Sequence, residues 1–257
     1  MITTEISWMQ VGVSALLAVL AVGIATHQRL GVTKDLLVAS IRAAVQLAAI
    51  GAILLALFRY AGPSGALGWV ALMVLIAGNV AGRRGRGVPR SHAVATAAIA
   101  LGSSVTLTVL LATSILPSEP RVVVPVGGMI VAAAMQASGL TLQRLAEDVR
   151  QARPTIEARL SLGMPTDQAF GPHRRSAART ALLPVIDSTK VVGLISLPGA
   201  MTGLILAGVD PLTAIRYQIV VMYMLLAATT VAAAATGFLA RRTLFDASSH
   251  RLRISHT

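Results

Sequence analysis

The sequence predicts an all-α, polytopic integral membrane protein of about seven transmembrane helices, and three observations carry that expectation. Hydrophobic residues make up 55% of the 257 and charged ones only 12%, where soluble domains carry about 25% charged residues. Apolar runs recur near the ~20 residues that a helix needs to cross a bilayer with every backbone N–H and C=O satisfied internally. The connections between those runs alternate between arginine-rich and arginine-poor. A β-barrel would need alternating strands of about 10 residues, and no such alternation occurs.

The expected spans cover residues 8–25, 36–58, 66–81, 93–116, 122–142, 185–208 and 213–240. The third is the shortest, which suits a helix of small tilt or one packed between neighbours. MITTEISW has no basic residue before the first apolar run, unlike a signal peptide, so the first span is expected to stay in the mature protein.

Charge sets the orientation. Arg29 and Lys34, then Arg83, Arg84, Arg86 and Arg90, then seven arginines between Arg144 and Arg179, then Arg241, Arg242, Arg251 and Arg253 fall on alternate connections. They are 17 of the 22 Lys and Arg, against Arg59 and Arg121 on the opposite set. That asymmetry puts the N-terminus outside and the C-terminus in the cytoplasm, and it makes the number of spans odd. A net charge of +12 then reads as an orientation signal with anionic lipid as partner, not as nucleic-acid binding. No half-repeat is evident, so a single transmembrane permease domain over residues 1–257 is the economical expectation.

The outer loops are short, as at Gly62-Pro63-Ser64-Gly65 and Asp210-Pro211. The one substantial soluble piece is the loop over residues 143–180. Its RLAEDVRQAR stretch continues the fifth helix and is expected to stop before Pro154. Thr155 can cap a short helix through Leu162, with Glu157 in its first turn and Gly163 placed to end it. Met164-Pro165 and Gly171-Pro172 are expected to break the chain twice, leaving a short helix across the span direction.

Several chemistries are excluded. With no cysteine there is no disulfide, thiolate metal site or cysteine nucleophile. Neither Lys34 nor Lys190 sits in a Gly-x-x-x-x-Gly-Lys-Ser/Thr loop, so the chain does not bind and hydrolyse ATP by that device. The five histidines lie in loops or at helix ends, which leaves no buried Ser-His pair and no cofactor in this chain.

The polar groups inside the sixth span are the candidates for function. A central Asp or Lys costs about 2.5 to 3.5 kcal/mol on insertion scales, so a span that keeps them has a reason to. Asp187 and Lys190 are three residues apart on one helix face and can pair. They are either part of a pathway or gate, with Ser188 and Thr189, or an orientation device near the cytoplasmic interface where Lys190 snorkels. Snorkelling also accounts for Arg42 and Arg216 near span ends. Pro198-Gly199 should kink or locally unwind the helix, and Gly199 and Gly203 form a G-x-x-x-G face for close helix approach. Gln46 and Gln136, with Ser138, are pore-facing groups or interhelical hydrogen-bond partners. Met129, Met135 and Met201 offer either soft sulfur ligands or flexible packing.

IDSTK from Ile186, SLPGAMTG from Ser196, ILAGVDPLTAIRYQIVVMYML from Ile205 and the preceding EARLSLG from Glu157 closely resemble the FetB-type permease family of ATP-binding cassette transporters. The resemblance runs from about Leu36 to Phe245 and is densest between Glu157 and Met224. It implies an exporter of iron or another metal ion in the bacterial cytoplasmic membrane, with ATP and Mg held by a separate cytosolic ATPase and with a second copy of the permease. It also implies that the helix bearing Glu157, Ala158, Arg159 and Gly163 is a coupling helix docking on that ATPase, with the spacing that opens the EAA-x-x-x-G loop of importer permeases. The sequence departs from the family after Gly128-Met129-Ile130, where a Gly-Asn pair gives way to Val131-Ala132 and a polar amide is lost. The alternatives are a permease of the same type for a small organic solute, a secondary transporter using Asp187 as proton-coupling carboxylate, and a non-transporting scaffold.

Overall fold

The computed structural model describes residues 7–60 and 62–245, and the described chain is helical throughout, with one isolated β-bridge between Val192 and Ser196. Arg251 and Arg253 of the charge pattern lie outside the described residues. Five of the described helices are long and apolar enough to cross a membrane. The all-α polytopic expectation is met. Contacts divide the chain into two units, residues 1–61 and residues 62–257.

The first unit is a helical hairpin of α1 (Trp8–His27) and α2 (Thr33–Tyr60). Ser7 and Gln10 close a capping box at its start, Gln10 N–H donating to Ser7 Oγ and Ser7 N–H to Gln10 Oε1. α2 contains the whole of the expected second span and carries Arg42 and Gln46, both exposed within this unit. Small residues such as Ser14, Ala15, Ala18, Ser40 and Ala44 line a groove between the two helices.

The second unit comprises α3 (Pro63–Gly82), a 3-10 turn at Arg83–Gly85, α4 (Ser91–Ala112), α5 (Pro120–Ser161), α6 (Thr166–Val191), α7 (Gly199–Leu206) and α8 (Pro211–Leu244). α5 is the hub, packing on α3, α4, α6 and α8, while α4 also packs on α8. The helices approach closely because small residues face one another. A Cβ added at Gly102 would sit 2.9 Å from the Ala228 carbonyl oxygen of α8, a contact only glycine permits without displacing backbone.

The loop between the fifth and sixth spans differs from its expected form. Pro154 does not end the fifth helix, which continues to Ser161 with both Pro125 and Pro154 inside it. The short helix expected over residues 155–162, and with it a coupling helix set across the spans, is instead the end of a 42-residue helix. The physical reason lies in exposure. Pro154 is exposed, so the carbonyl that loses its amide partner can be hydrated, and Arg153 and Glu157 bridge the position at 2.8 Å. Gly171-Pro172 does not break the chain either, since α6 runs through Pro172 and Pro184. The turn at Met164-Pro165 does occur, and Gly163 ends the helix as expected. With φ +81° it closes a Schellman turn, Gly163 N–H donating to the Leu160 carbonyl and Met164 N–H to that of Arg159.

At about 1.5 Å per residue, a 42-residue helix runs ~63 Å, twice the ~30 Å hydrocarbon layer. Its second half projects beyond the Arg-rich end of the spans, with α6 antiparallel to it. The base of that hairpin has its own core. Ile156 of α5, Phe170 of α6 and Leu244 of α8 are completely buried, and the Phe170 and Phe245 rings meet edge to face at 5.3 Å. Asp167 pairs with Arg241, and Asp148 lies 3.4 Å from Arg144 and 3.8 Å from His173.

Candidate functional site

A cleft of about 380 Å³ opens between α5, α6 and α8, and it gathers several of the expected site residues. Met129 and Gln136 come from α5, Pro184 and Ser188 from α6, and Thr229 from α8. Alanines at 132, 133, 137 and 181 line the rest, so the space exists because the facing side chains are small.

The chemistry of the cleft follows from where its protons go. Ser188 Oγ donates to the Val185 carbonyl at 2.9 Å, and Thr229 Oγ1 to the Leu225 carbonyl at 2.7 Å. With each proton committed to its own helix, these hydroxyls offer the cleft lone pairs. Gln136 adds an amide oxygen and Met129 a thioether sulfur. Such neutral oxygen and sulfur acceptors suit a cation or a hydrogen-bond donor. No three His, Cys, Asp or Glu side chains cluster as a metal cage among the described residues.

Not every expected site residue joins this cleft. Asp187 and Lys190 pair with each other at 3.4 Å on the outer side of α6, with 67% and 68% of their side chains exposed. Thr189 Oγ1 donates to the Val185 carbonyl at 2.7 Å. Met135 and Met201 are half-buried outside the cleft lining, so the three methionines do not form one ligand set. Gln46 belongs to the first unit. Ser138 turns the other way, sharing a hydrogen bond of 3.0 Å with Thr236 in the buried α5–α8 contact. That contact and Thr229 carry no conspicuous sequence signal, because threonines in spans usually bond their own helix.

The expected sixth span, residues 185–208, is broken. α6 ends at Val191 and α7 begins at Gly199. Gly193, at φ +80°, supplies the left-handed conformation that turns the chain. Its N–H donates to the Ser196 carbonyl, and the Leu194 and Ile195 N–H groups donate to that of Val191. Pro198 then precedes α7, with the Thr202 N–H on its carbonyl at 3.0 Å. The unwinding expected at Pro198-Gly199 therefore begins six residues before the proline, at Val192, with Gly193 making the turn.

Helical register sets Asp187 and Lys190 beyond the arginine-rich end of the cleft along α6. α5 and α6 are joined by residues 162–165 and run antiparallel, so Leu140 and Ala181 bound the Arg-rich end of the cleft, and Met129 and Ser188 its far end. Ser188 lies seven residues beyond Ala181, about 10 Å deeper at 1.5 Å per residue. Residues 181–190 are the inner part of a helix that started 15 residues before Ala181, at Thr166.

The four residues expected to couple to an ATPase sit at the tip of the α5–α6 hairpin. Glu157 is ion-paired with Arg153, Arg159 Nη1 donates to the Ala169 carbonyl at 3.4 Å, and Ala158 and Gly163 are exposed. Spanning helices, a helix interrupted beside an acceptor-lined cleft and a rigid projecting hairpin define a polytopic membrane protein of the transport class. The chain belongs to UPF0014, described as an uncharacterised protein family, whose model matches residues 8–245. It is 44% identical over 220 residues to the UPF0014 membrane protein STAR2 of Oryza sativa subsp. japonica, covering 86% of this chain and 77% of that one. It is 39% identical over 224 residues to the protein ALUMINUM SENSITIVE 3 of Arabidopsis thaliana, covering 86% and 81%. With the probable iron export permease protein FetB of Escherichia coli strain K12 it shares 35% identity over 240 residues, covering 93% and 92%. The FetB-type resemblance read from the motifs is thus borne out. No solved structure matches the chain.

Proposed function

We propose that this chain is the membrane permease subunit of an ATP-binding cassette exporter, moving iron or another metal ion across a bacterial cytoplasmic membrane. The single observation that carries the reading is the 35% identity with the probable iron export permease FetB over more than nine-tenths of both chains. ATP and Mg bind a separate cytosolic subunit, and two permeases assemble with two such ATPases.

The geometry supplies a route for the work. The hairpin tip at Glu157, Ala158, Arg159 and Gly163 meets the ATPase, and the base packing of Ile156, Phe170 and Leu244 makes hairpin and α8 move together. Motion of α6 against α5 and α8 widens or closes the cleft at Met129, Gln136, Ser188 and Thr229, because Pro184 and the break after Val191 leave the inner part of α6 free of a continuous span. The lone pairs there replace part of a metal ion's hydration as it passes.

The test is reconstitution. A protein with a Walker A loop is expected to be encoded beside this gene and to copurify with the permease, and ferrous or another divalent ion is expected to stimulate ATP hydrolysis by the complex in nanodiscs. Transport by the permease alone, with no ATPase present, would falsify the reading.

A further inference from the structure

We propose that the face running from Asp187 through the break to Gly203 is where a second copy of this chain docks, each Asp187 pairing with the partner subunit's Lys190 within the membrane. The inference rests on the permease reading above and adds the surface and the residues by which two copies meet.

The first observation is depth. The Ser138–Thr236 hydrogen bond places those residues at one level, and Arg241 at the basic end of α8 lies five residues beyond Thr236. From Leu140 and Ala181 at the arginine-rich end of the cleft, where the Arg84 side chain lies against Gly139, Asp187 and Lys190 stand six and nine residues further along α6, about 9 and 14 Å inward by helical rise and inside a layer about 30 Å thick. Asp187 and Lys190 are within a turn of Ser188. Among the described residues of this unit the two pair with each other at 3.4 Å, and both side chains are two-thirds exposed.

The second observation is backbone. Residues 192–198 are not helical, and Leu194, Ile195 and Leu197 are 88%, 82% and 60% exposed. Among the described residues no amide beyond α6 donates to the carbonyls of Ser188, Thr189 or Lys190. Irregular backbone does not face lipid within the hydrocarbon, and persists only against protein or a water-filled cavity. The third observation is shape. Within the second unit nothing lies within 4 Å of a Cβ built on Gly199 or Gly203, so that unit's other helices leave the G-x-x-x-G face of α7 unused.

Charge complementarity selects a second copy as the occupant. An isologous contact presents one patch to itself, and this patch carries one carboxylate and one ammonium a single helical turn apart. A two-fold axis along the membrane normal brings the two α6 helices side by side and sets each Asp187 about 4.5 Å in depth from the partner subunit's Lys190, within the reach of a lysine stem. The face is then neutral and self-satisfying, while Leu194 and Ile195 close over the axis. The cleft opens on the opposite side of α6, so movement at the dimer axis and at the cleft is carried by the same helix.

The absence of cysteine makes the test direct. Full-length Ile195→Cys and Leu194→Cys, each assembled with the partner ATPase in membranes, are expected to give a disulfide-linked dimer on oxidation with copper phenanthroline, while Leu101→Cys on the outer face of α4 gives none. Asp187→Lys and Lys190→Asp are each expected to lower the dimer fraction several-fold, and the double exchange to restore it. Crosslinks absent at both positions, or formed instead to a cysteine placed in residues 1–61 of the same copy, would overturn the interface. An intact ATPase complex with no crosslink removes this inference alone, and a crosslinked dimer that never associates with an ATPase removes the proposed function alone.

Discussion

Ser138 and Thr236, 98 residues apart in sequence, share a hydrogen bond of 3.0 Å in which both side chains are completely buried. Thr236 also donates to the Ala232 carbonyl at 2.7 Å, so its single proton is committed and the Ser138 proton spans the gap between α5 and α8. Interhelical hydrogen bonds in membranes average about 0.6 kcal/mol and reach about 1.7. Ser138→Ala and Thr236→Val should each fall in that range. Thermal unfolding of the detergent-solubilised chain measures the loss, and the double variant should cost less than the sum because the two share one interaction.

Gly102 sets the distance between α4 and α8. A Cβ there meets the Ala228 carbonyl oxygen at 2.9 Å and Ala232 Cβ at 3.1 Å, and backbone on the far side cannot turn away as a flexible side chain would. Gly102→Leu is expected to destabilise by about 1 to 3 kcal/mol or more through overpacking. Gly203→Leu, with nothing within 4 Å of its Cβ, should leave the unfolding of an isolated protomer within about 0.5 kcal/mol. Equal losses at the two sites would contradict the packing described for α4 and α8.

The hairpin separates packing from charge. Ile156 is completely buried at its base, and Ile156→Ala should cost about 2 to 5 kcal/mol as a cavity-forming substitution. Neighbouring Glu157 is nearly half exposed and paired with Arg153, so Glu157→Gln should change stability by less than about 1 kcal/mol. In the proposed complex the order reverses for the partner, with Glu157→Lys lowering copurification of the ATPase while the permease stays folded. Proteolysis of the hairpin and pull-down of the ATPase read the two effects separately.

Hydropathy and the arginine pattern made the spanning helices legible, because burial in lipid imposes length and composition residue by residue. Proline was the less dependable guide. Pro154 and Pro172 looked like breaks, yet both are exposed, where a lost amide costs little and buried neighbours such as Ile156 and Phe170 hold the helix together. The true break at residues 192–198 hides in VGLISLP, whose leucines, isoleucine and valine read as ordinary span. There Pro198 is a visible signal, but Gly193, which makes the turn at φ +80°, is one more small residue in an apolar run. The cleft was half legible. Gln136, Ser188 and Met129 drew notice as polar or soft groups in apolar sequence, but their convergence with Thr229 depends on the α5–α6–α8 packing, and Asp187 falls outside it because α6 turns that side away.

The cleft gives the sharpest functional expectation. Gln136 and Ser188 line it while contributing nothing to the buried contacts between helices, since the Ser188 proton stays within α6. Gln136→Leu removes an amide oxygen at nearly constant volume, and Ser188→Ala removes a hydroxyl acceptor. Each should weaken metal stimulation of ATP hydrolysis about tenfold in apparent affinity, as expected for loss of roughly 1.4 kcal/mol of ligand interaction. Basal hydrolysis and copurification with the ATPase should not change, because neither residue touches the hairpin. Asp187→Asn, outside the cleft, should leave that apparent affinity unaltered. A loss of metal response in Asp187→Asn but not in Gln136→Leu would move the binding site from the cleft to the opposite side of α6.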